Sequence, residues 1–259
     1  MSSEVLWEVG GGIGRITINR PEKRNSLSWD VLTRLREIFA AAKDDPDVRV
    51  IVTTGAGDKA FSAGADLTGM AEGAGFLELH EGRGELARLF LDMWALGKPT
   101  IAKVRGYALA GGFGLALAHD LVIASDDSQF GVPEINVGLW PYMITVPMVR
   151  SMPPKKALEL MMTGRRVDAA EAERIGFVNQ VVPATELDVT VDTVAAGLAA
   201  KSPAIMRLGR DSFYAVLDEP ARDALPLLHS LLTITAQTDD AREGIAAFAE
   251  KREPKWRGR

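Results

Sequence analysis

The sequence contains no cysteine and only three histidines among its 259 residues. Disulfides, thiolate nucleophiles and cysteine-ligated metal sites are therefore excluded. His80, His119 and His229 lie far apart along the chain and form no metal-binding spacing. We therefore expect no metal site.

Long apolar runs and an excess of basic residues are also lacking. Without a stretch of 18 apolar residues, the sequence predicts no membrane-spanning helix. No cationic start precedes an apolar run near the N-terminus, so we expect no signal peptide and a cytoplasmic location. The net charge of −5, with scattered basic residues, disfavours nucleic acid as a partner. A hydrophobic content of 47% is typical of a globular protein with a sizeable core.

Strand and helix patterns alternate through about residue 150, which predicts an α/β fold. Helix follows helix after Pro153, with a single short strand predicted over Val178–Val182. We expect an α/β core over residues 1–195 and a helical C-terminal section over 196–259. Other predicted elements are a hairpin of Val5–Val9 and Ile13–Ile18, a helix from Ser28 to about Lys43, a helix over Leu86–Leu96, and buried strands over Val48–Thr53, Thr100–Val104 and Leu121–Ala124.

The first informative segment is Ala60–Leu67, AFSAGADL. Its small side chains leave backbone N–H groups accessible, and Asp66 can cap the turn or helix that follows. A tight strand-to-helix connection explains the same letters without any function. Ser62 lacks the G-x-S-x-G elbow of an activated serine, since Ala60 replaces the first glycine. Further on, five glycines between Gly69 and Gly84 predict a mobile segment that could exclude water from a site.

The second segment is Gly106–Gly114, GYALAGGFG, which follows a buried strand and begins a helix. The free N–H groups at a helix N-terminus stabilise negative charge. The glycine spacing does not match a dinucleotide-binding turn, and no P-loop sequence occurs. Close packing between a helix and a strand remains the alternative reading of these glycines.

The third segment is Phe130–Pro141, FGVPEINVGLWP, where Glu134 lies among apolar residues and turn formers. Apolar surroundings disfavour the charged form of a glutamate, so its pKa should rise toward values useful for proton transfer. A glutamate on a surface loop is the alternative.

Taken in order, these segments resemble the crotonase (enoyl-CoA hydratase/isomerase) family. The resemblance rests on AFSAGADL, GYALAGGFGLALAHDLVIAS and FGVPEINVGLWP, and also on RPEKRNSLS, MTGRRVDAAEAERIGFVNQVV and AAFAEKREP. It covers nearly the whole chain. It implies a spiral of ββα repeats with a C-terminal helical trimerisation section, and hence a homotrimer or a dimer of trimers.

The resemblance also implies an acyl-CoA substrate, with coenzyme A as part of the substrate and no separate cofactor. Two backbone N–H groups, on Ala65 and Gly111, would form the oxyanion hole for the thioester oxygen. Basic side chains would pair with the phosphates of coenzyme A, although solvated surface cations explain them equally well. The positions that match the family's CoA-binding residues are Arg24, Lys59, Ala63, Asp66, Leu67, Phe248 and Lys251, the last two reaching the CoA of a neighbouring subunit.

One departure from the family pattern bears on the reaction. The family's hydratases carry two catalytic glutamates; the second matches Glu134, whereas the first falls on Gly114. Val132 replaces a common glutamine, and Tyr142 occupies a position where some members have an aspartate. We expect the substrate pocket to include Met70, Gly114, Val132, Leu139 and Trp140.

A single acid/base at Glu134 chemically favours a Δ3-to-Δ2 double-bond shift over hydration, although hydratases with one glutamate also fit the pattern. A non-catalytic acyl-CoA binder and a CoA thioester hydrolase or decarboxylase remain alternatives. A serine hydrolase and a nicotinamide oxidoreductase are disfavoured by the missing elbow and by the glycine spacing.

Overall fold

The structure is a computed structural model that describes residues 3–66 and 75–259. Ten strands and ten α-helices occur in these residues. The strands are β1 (Val5–Gly10), β2 (Ile13–Ile18), β3 (Val50–Gly55), β4 (Ala60–Ser62), β5 (Thr100–Val104), β6 (Tyr107–Leu109), β7 (Leu121–Ser125), β8 (Gln129–Gly131), β9 (Arg166–Asp168) and β10 (Gln180–Val182). The helices are α1 (Trp29–Asp44), α2 (Phe76–Trp94), α3 (Gly111–Ala118), α4 (Thr145–Ser151), α5 (Pro154–Thr163), α6 (Ala169–Ile175), α7 (Leu187–Ala199), α8 (Pro203–Val216), α9 (Ala221–Ala236) and α10 (Asp239–Glu250).

Two sheets form the core, one of six strands in the order β1-β2-β3-β5-β7-β10 and one of four in the order β4-β6-β8-β9. Each of the pairs β3/β4, β5/β6 and β7/β8 contributes its first strand to the larger sheet and its second to the smaller. A helix follows each pair. The chain thus winds through successive ββα units, and the α/β fold predicted from the sequence is confirmed.

Helix α1 illustrates how local sequence determines an element. The Ser28 hydroxyl accepts a hydrogen bond from the Val31 N–H at 3.2 Å, which caps the first turn. The helix buries Val31, Leu32, Leu35, Ile38, Phe39 and Ala42 against the core, at helical spacing. The predicted helix and its cap are confirmed, as is the β1–β2 hairpin, which pairs antiparallel across Gly10 and Ile13.

Helix α2 begins at Phe76, ten residues before the predicted start at Leu86. Two of the five glycines that suggested a mobile segment, Gly82 and Gly84, lie within this helix, and Gly75 immediately precedes it. At Gly82 a Cβ would lie 2.3 Å from the ring of Trp29, so the absence of a side chain lets the two helices approach closely. Residues 76–84 of the predicted mobile segment are therefore helical, residues 69–74 lie outside the described residues, and the mobility stays a prediction.

The C-terminal part is helical, as predicted, with two corrections. Strand β9 was missed because three residues carry too little pattern, and β10 is shorter than the predicted Val178–Val182. Helix α7 packs on the larger sheet, so the boundary predicted at residue 195 falls within it. The division into two sections stays a prediction. Within the described ranges, no helix is both long and apolar enough to cross a bilayer.

Candidate functional site

Three strand ends define the site. Strands β4, β6 and β8 are adjacent and parallel. Ala65, Gly111 and Glu134 each follow the end of one of them by two or three residues. The carboxyl ends of parallel strands share one edge of a sheet, where open α/β sheets bind ligands. This strand pairing therefore places all three positions at one edge of the sheet, although Gly111 comes 46 residues after Ala65 and Glu134 comes 23 residues after Gly111.

The loop that carries Ala65 is attached to a second segment, Arg24–Leu27. Ala63 N–H donates to the carbonyl of Arg24 at 3.0 Å, Leu27 N–H to that of Gly64 at 2.8 Å, and Asp66 N–H to that of Leu27 at 3.1 Å. These bonds use the amides on either side of Ala65 and hold the backbone in one conformation. The Ala65 N–H does not take part in them.

Two glycines bring this loop against the start of α3. Gly64 has φ +90°, and a Cβ there would lie 2.9 Å from Gly111 N. At Gly112 a Cβ would lie only 2.3 Å from the Ser62 carbonyl oxygen. Gly111 and Ala65 are direct neighbours, since a Cβ on Gly111 would lie 3.7 Å from Ala65 N. Side chains at Gly64 or Gly112 would force the two segments apart.

The residue before Gly111 is held in an uncommon conformation. Ala110 has φ 50° and ψ −129°, in a region that glycine adopts far more readily than alanine. Its N–H donates to the Gly131 carbonyl at 2.9 Å, and its carbonyl accepts from Phe113 and Gly114. Backbone strain of this kind persists where surrounding contacts over-determine it. Here it sets the orientation of the peptide that carries the Gly111 N–H.

Within the described residues, neither Ala65 N–H nor Gly111 N–H donates a hydrogen bond. Gly111 is the first residue of α3, where N–H groups have no partner inside the helix and the helix dipole is positive. Two adjacent free donors at such an end suit an oxygen that gains negative charge. That they share one acceptor stays a prediction.

Glu134 lies in a 3₁₀ turn over Pro133–Val137, directly after β8. Glu134 as a whole is half-buried, and its Oε2 atom is buried without a hydrogen-bond partner among the described residues. Burial raises the pKa of this carboxyl above its ordinary value, with a small opposing effect from its own backbone N–H. A buried carboxyl with a raised pKa and a free oxygen can accept and return a proton near neutral pH.

Gly114 stands three residues after Gly111, on the same face of α3. A Cβ at this position would lie 3.0 Å from Cγ1 of Ile144 and 3.1 Å from Cζ of Phe90. The space that a side chain would need is thus already occupied by carbon atoms. Neither residue was among those predicted for the pocket.

The other predicted pocket residues differ in exposure. Val132 is fully buried, Trp140 packs partly buried against the main core, and Leu139 is 50% exposed. Tyr142, where some family members have an acid, is 77% exposed. Met70 and the CoA-binding candidate Leu67 lie outside the described residues.

Arg24 and Lys59 line one surface pocket, although 35 residues separate them along the chain. Both side chains are exposed, and neither forms an ion pair with another described residue. Glu22 and Asp58 line the same pocket, so its formal charge is balanced. The structure brings together two of the predicted phosphate-binding cations, while their role stays a prediction.

The remaining CoA-binding candidates occupy two different places. The carboxylate of Asp66, beside Ala65, binds the buried Arg20 guanidinium at 2.8 Å and so anchors the loop. Phe248, 87% exposed, and Lys251 lie at the end of α10, which packs against α8 and α9. The structure does not place them at the ends of β4, β6 and β8.

Other reactive groups are engaged elsewhere. Ser62 is fully buried, and its hydroxyl accepts from the Gly64 N–H at 3.2 Å, which is a structural use rather than that of a nucleophile. Within residues 3–66 and 75–259, no cluster of three or more metal-binding side chains occurs.

Sequence reasoning missed three residues of this site. Ala110 carries no signal of its positive φ, because alanine normally avoids that region. Phe90 belongs to a predicted helix, and its helical spacing from Leu86 could have indicated a shared face. Ile144 lies immediately before α4, and only tertiary packing brings it against Gly114.

Comparison with known proteins gives a consistent result. The sequence profile of the family described as enoyl-CoA hydratase/isomerase matches residues 8–259. A carnitinyl-CoA dehydratase of Proteus mirabilis is 36% identical over 266 residues, covering 100% of each chain. One from Escherichia coli K12 is 37% identical over the same span, again covering 100% of each.

Solved structures give the same picture. The enoyl-CoA hydratase of Mycobacterium smegmatis superposes with a TM-score of 0.95 at 32% identity, covering 98% of this chain and 99% of that one. Pseudomonas aeruginosa DspI superposes with a TM-score of 0.93 at 33% identity, covering 99% and 97%. With its successive ββα units and its profile match over nearly the whole length, the chain belongs to the enoyl-CoA hydratase/isomerase family.

Proposed function

We propose that the protein binds an acyl-CoA thioester and stabilises its enolate with the N–H groups of Ala65 and Gly111. Glu134 is the single acid/base. The observation that carries this proposal is the common sheet edge where two free donors and one unpartnered carboxyl follow three adjacent parallel strands. An enolate needs both elements, because charge builds on the thioester oxygen while a proton leaves the neighbouring carbon.

Isomerisation of a 3-enoyl-CoA requires only these groups. The Glu134 carboxylate removes a proton from C2, and the electron pair of that bond moves into C1=C2 as charge collects on the thioester oxygen. The carbonyl then re-forms, the C1=C2 pair moves to C2=C3, and the C3=C4 pair takes the proton back at C4. The product is the 2-enoyl-CoA, and no atom is added or lost.

Hydration, or its reverse, is the second candidate. It is supported by the names of the relatives, a hydratase and two dehydratases. This reaction adds hydroxide at C3 and a proton at C2, and conventionally uses two carboxylates around one water. Gly114 supplies no second carboxylate, so we favour isomerisation.

Coenzyme A would extend from the site toward the pocket of Arg24 and Lys59, where its phosphates would meet two cations. The loop residues Ala63, Asp66 and Leu67 would border the pantetheine chain, whereas Phe248 and Lys251 would meet the CoA of a neighbouring subunit. No further cofactor is needed. A place in fatty acid metabolism and a cytoplasmic location stay predictions.

We further propose a homotrimer or dimer of trimers assembled through the C-terminal helices. The support is a set of large apolar side chains on α9 and α10 that a single chain leaves exposed, namely Leu225, Leu227, Leu232, Ile234, Ile245 and Phe248. Surfaces of this kind mark protein contacts. Light scattering at micromolar concentration should give the mass of three or six chains, and the mass of one chain would refute the assembly.

Product analysis tests the function directly. The protein is incubated with 2-enoyl- and 3-enoyl-CoAs of several chain lengths, and the products are identified by mass spectrometry. We expect interconversion of the two double-bond isomers. Absence of both interconversion and C2 proton exchange with deuterated water, for every substrate, would leave a non-catalytic binder, and release of free thiol would indicate a thioester hydrolase.

A further inference from the structure

The space beside Gly114 is closed by two apolar side chains from different parts of the chain. Phe90 comes from α2 and Ile144 precedes α4; they are 2% and 4% exposed. The atoms nearest to a Cβ at Gly114 are Cγ1 and Cγ2 of Ile144 and Cζ of Phe90, all within 3.1 Å. Contacts this tight mean that even an alanine would displace a neighbour.

The same helix face carries the candidate oxyanion donor. Leu86, four residues before Phe90 on α2, approaches a Cβ on Gly111 to 3.4 Å. Leu86 and Phe90 thus run along the first turn of α3, from Gly111 to Gly114. If the substrate carbonyl lies at Gly111, as the proposed function has it, the residues beside Gly114 would lie near the reacting carbons.

A water molecule held in a protein needs two to four polar partners. Beside Gly114, the side chains of Phe90 and Ile144 offer only carbon. Of the two acids that residues 3–66 and 75–259 contribute to the candidate site, Asp66 binds Arg20 and Glu134 has a buried carboxyl oxygen without a partner. A water beside Gly114 would find no polar partner in either of these side chains, Phe90 and Ile144. Their packing therefore disfavours a bound water at this position.

We propose that Phe90 and Ile144 form an apolar seal at Gly114 that decides the reaction, favouring return of the proton to the acyl chain over addition of water. This inference rests on the proposed enolate chemistry of the same site. Phe90 and Ile144 act as specificity-determining residues: they exchange no proton, and they fill the volume that a second carboxylate and its water would occupy.

The test restores a carboxylate and removes part of the seal together, in Gly114→Glu/Ile144→Ala. The matched control is Gly114→Glu/Ile123→Ala, because Ile123 is an isoleucine of similar burial in the other core cluster, on β7. The rates of 2-enoyl-CoA hydration and 3-enoyl-CoA isomerisation are measured for both. We expect the ratio of hydration to isomerisation to rise on the order of 100-fold above the control, in line with a gained acid/base group. If both double variants fold and show the same ratio of hydration to isomerisation, the proposed role of Phe90 and Ile144 is wrong.

A labelling experiment on the unmodified protein does not depend on the folding of variants. A 3-enoyl-CoA carrying deuterium at C2 is isomerised in ordinary water, and deuterium at C4 of the product is measured. A sealed site returns most of the label, whereas complete loss of label to solvent would overturn the proposal. If the substrate is neither isomerised nor exchanged, the proposed function itself fails, an outcome distinct from isomerisation with loss of label.

Discussion

The buried ionisable groups near the two ends of α3 differ in their hydrogen bonding: those at one end have partners, and the one at the other end lacks a partner for one oxygen. At the C-terminal end, His119 Nδ1 lies 2.8 Å from the Leu115 carbonyl and Nε2 lies 2.8 Å from the Thr53 hydroxyl. Since a carbonyl only accepts, Nδ1 carries the proton and Nε2 accepts from Thr53. The neighbouring Asp120 binds Arg210 at 2.9 Å and the Tyr214 hydroxyl at 2.6 Å.

At the N-terminal end the polar groups are left free. Ala65 N–H and Gly111 N–H donate to no described residue, and Glu134 Oε2 is buried without a partner. Burial lowers the pKa of His119 to about 4, yet its ring is fully satisfied and serves packing. A shifted pKa therefore does not mark a reactive group by itself, whereas polar groups without partners distinguish the N-terminal end as the candidate site.

The sharpest test of this contrast removes one ionisable group from each end. Glu134→Gln keeps the shape of the side chain but cannot take a proton, so we expect turnover to fall roughly 10³-fold while acyl-CoA binding persists. His119→Gln should lower stability and leave turnover within a few fold of the unmodified protein. Steady-state rates and binding titrations check both. Full turnover in Glu134→Gln would remove this residue from the mechanism.

A smaller effect is expected from disturbing the donors rather than the acid. In Gly64→Ala, the new Cβ would lie 2.9 Å from Gly111 N, so the two segments must separate. We expect turnover to fall about 10²-fold, the usual cost of losing one oxyanion donor. Gly176→Ala is the control, since Gly176 also has a positive φ, +101°, but no atom lies within 4 Å of its Cβ. Equal losses of turnover in both variants would attribute the effect to backbone strain alone.

The smallest expected effect is on the pH dependence of the free energy of unfolding. His119 and Glu134 contribute to it with opposite signs. The folded-state pKa of His119 is lowered from 6.5 to about 4, so the unfolded chain binds the proton first. The free energy of unfolding should fall by up to about 1.4 kcal/mol per pH unit as pH drops from 6.5 toward 4. Glu134 has a raised pKa, so its contribution is full below its ordinary value of 4.5 and is lost as pH rises through the folded-state value.

Urea unfolding of the unmodified protein and of the two glutamine variants, between pH 4.5 and 7, measures these slopes. His119→Gln should flatten the loss of stability in acid, and Glu134→Gln should steepen it. If the free energy of unfolding changed equally with pH in all three proteins, the assignment of these pH effects to His119 and Glu134 would be wrong.

Local patterns in the sequence predicted much of the fold. Helical spacing from Val31 to Phe39 and the cap at Ser28 predicted α1, because both signals act within a few residues. The start of α2 was misplaced because the glycine at 82 packs against Trp29, a residue of another helix. For the site, the sequence identified Ala65, Gly111 and Glu134 as candidates, through their motifs and the family resemblance.

The sequence by itself determined which groups are available: no thiol, a glutamate among apolar residues, and glycines where backbone amides can be reached. Only the tertiary structure decided that these groups lie at one edge of a sheet, because the parallel pairing of β4, β6 and β8 joins segments far apart along the chain. It also decided what fills the space at Gly114. Phe90 and Ile144 come from different elements, and close packing between elements depends on shape in three dimensions, which no local pattern records.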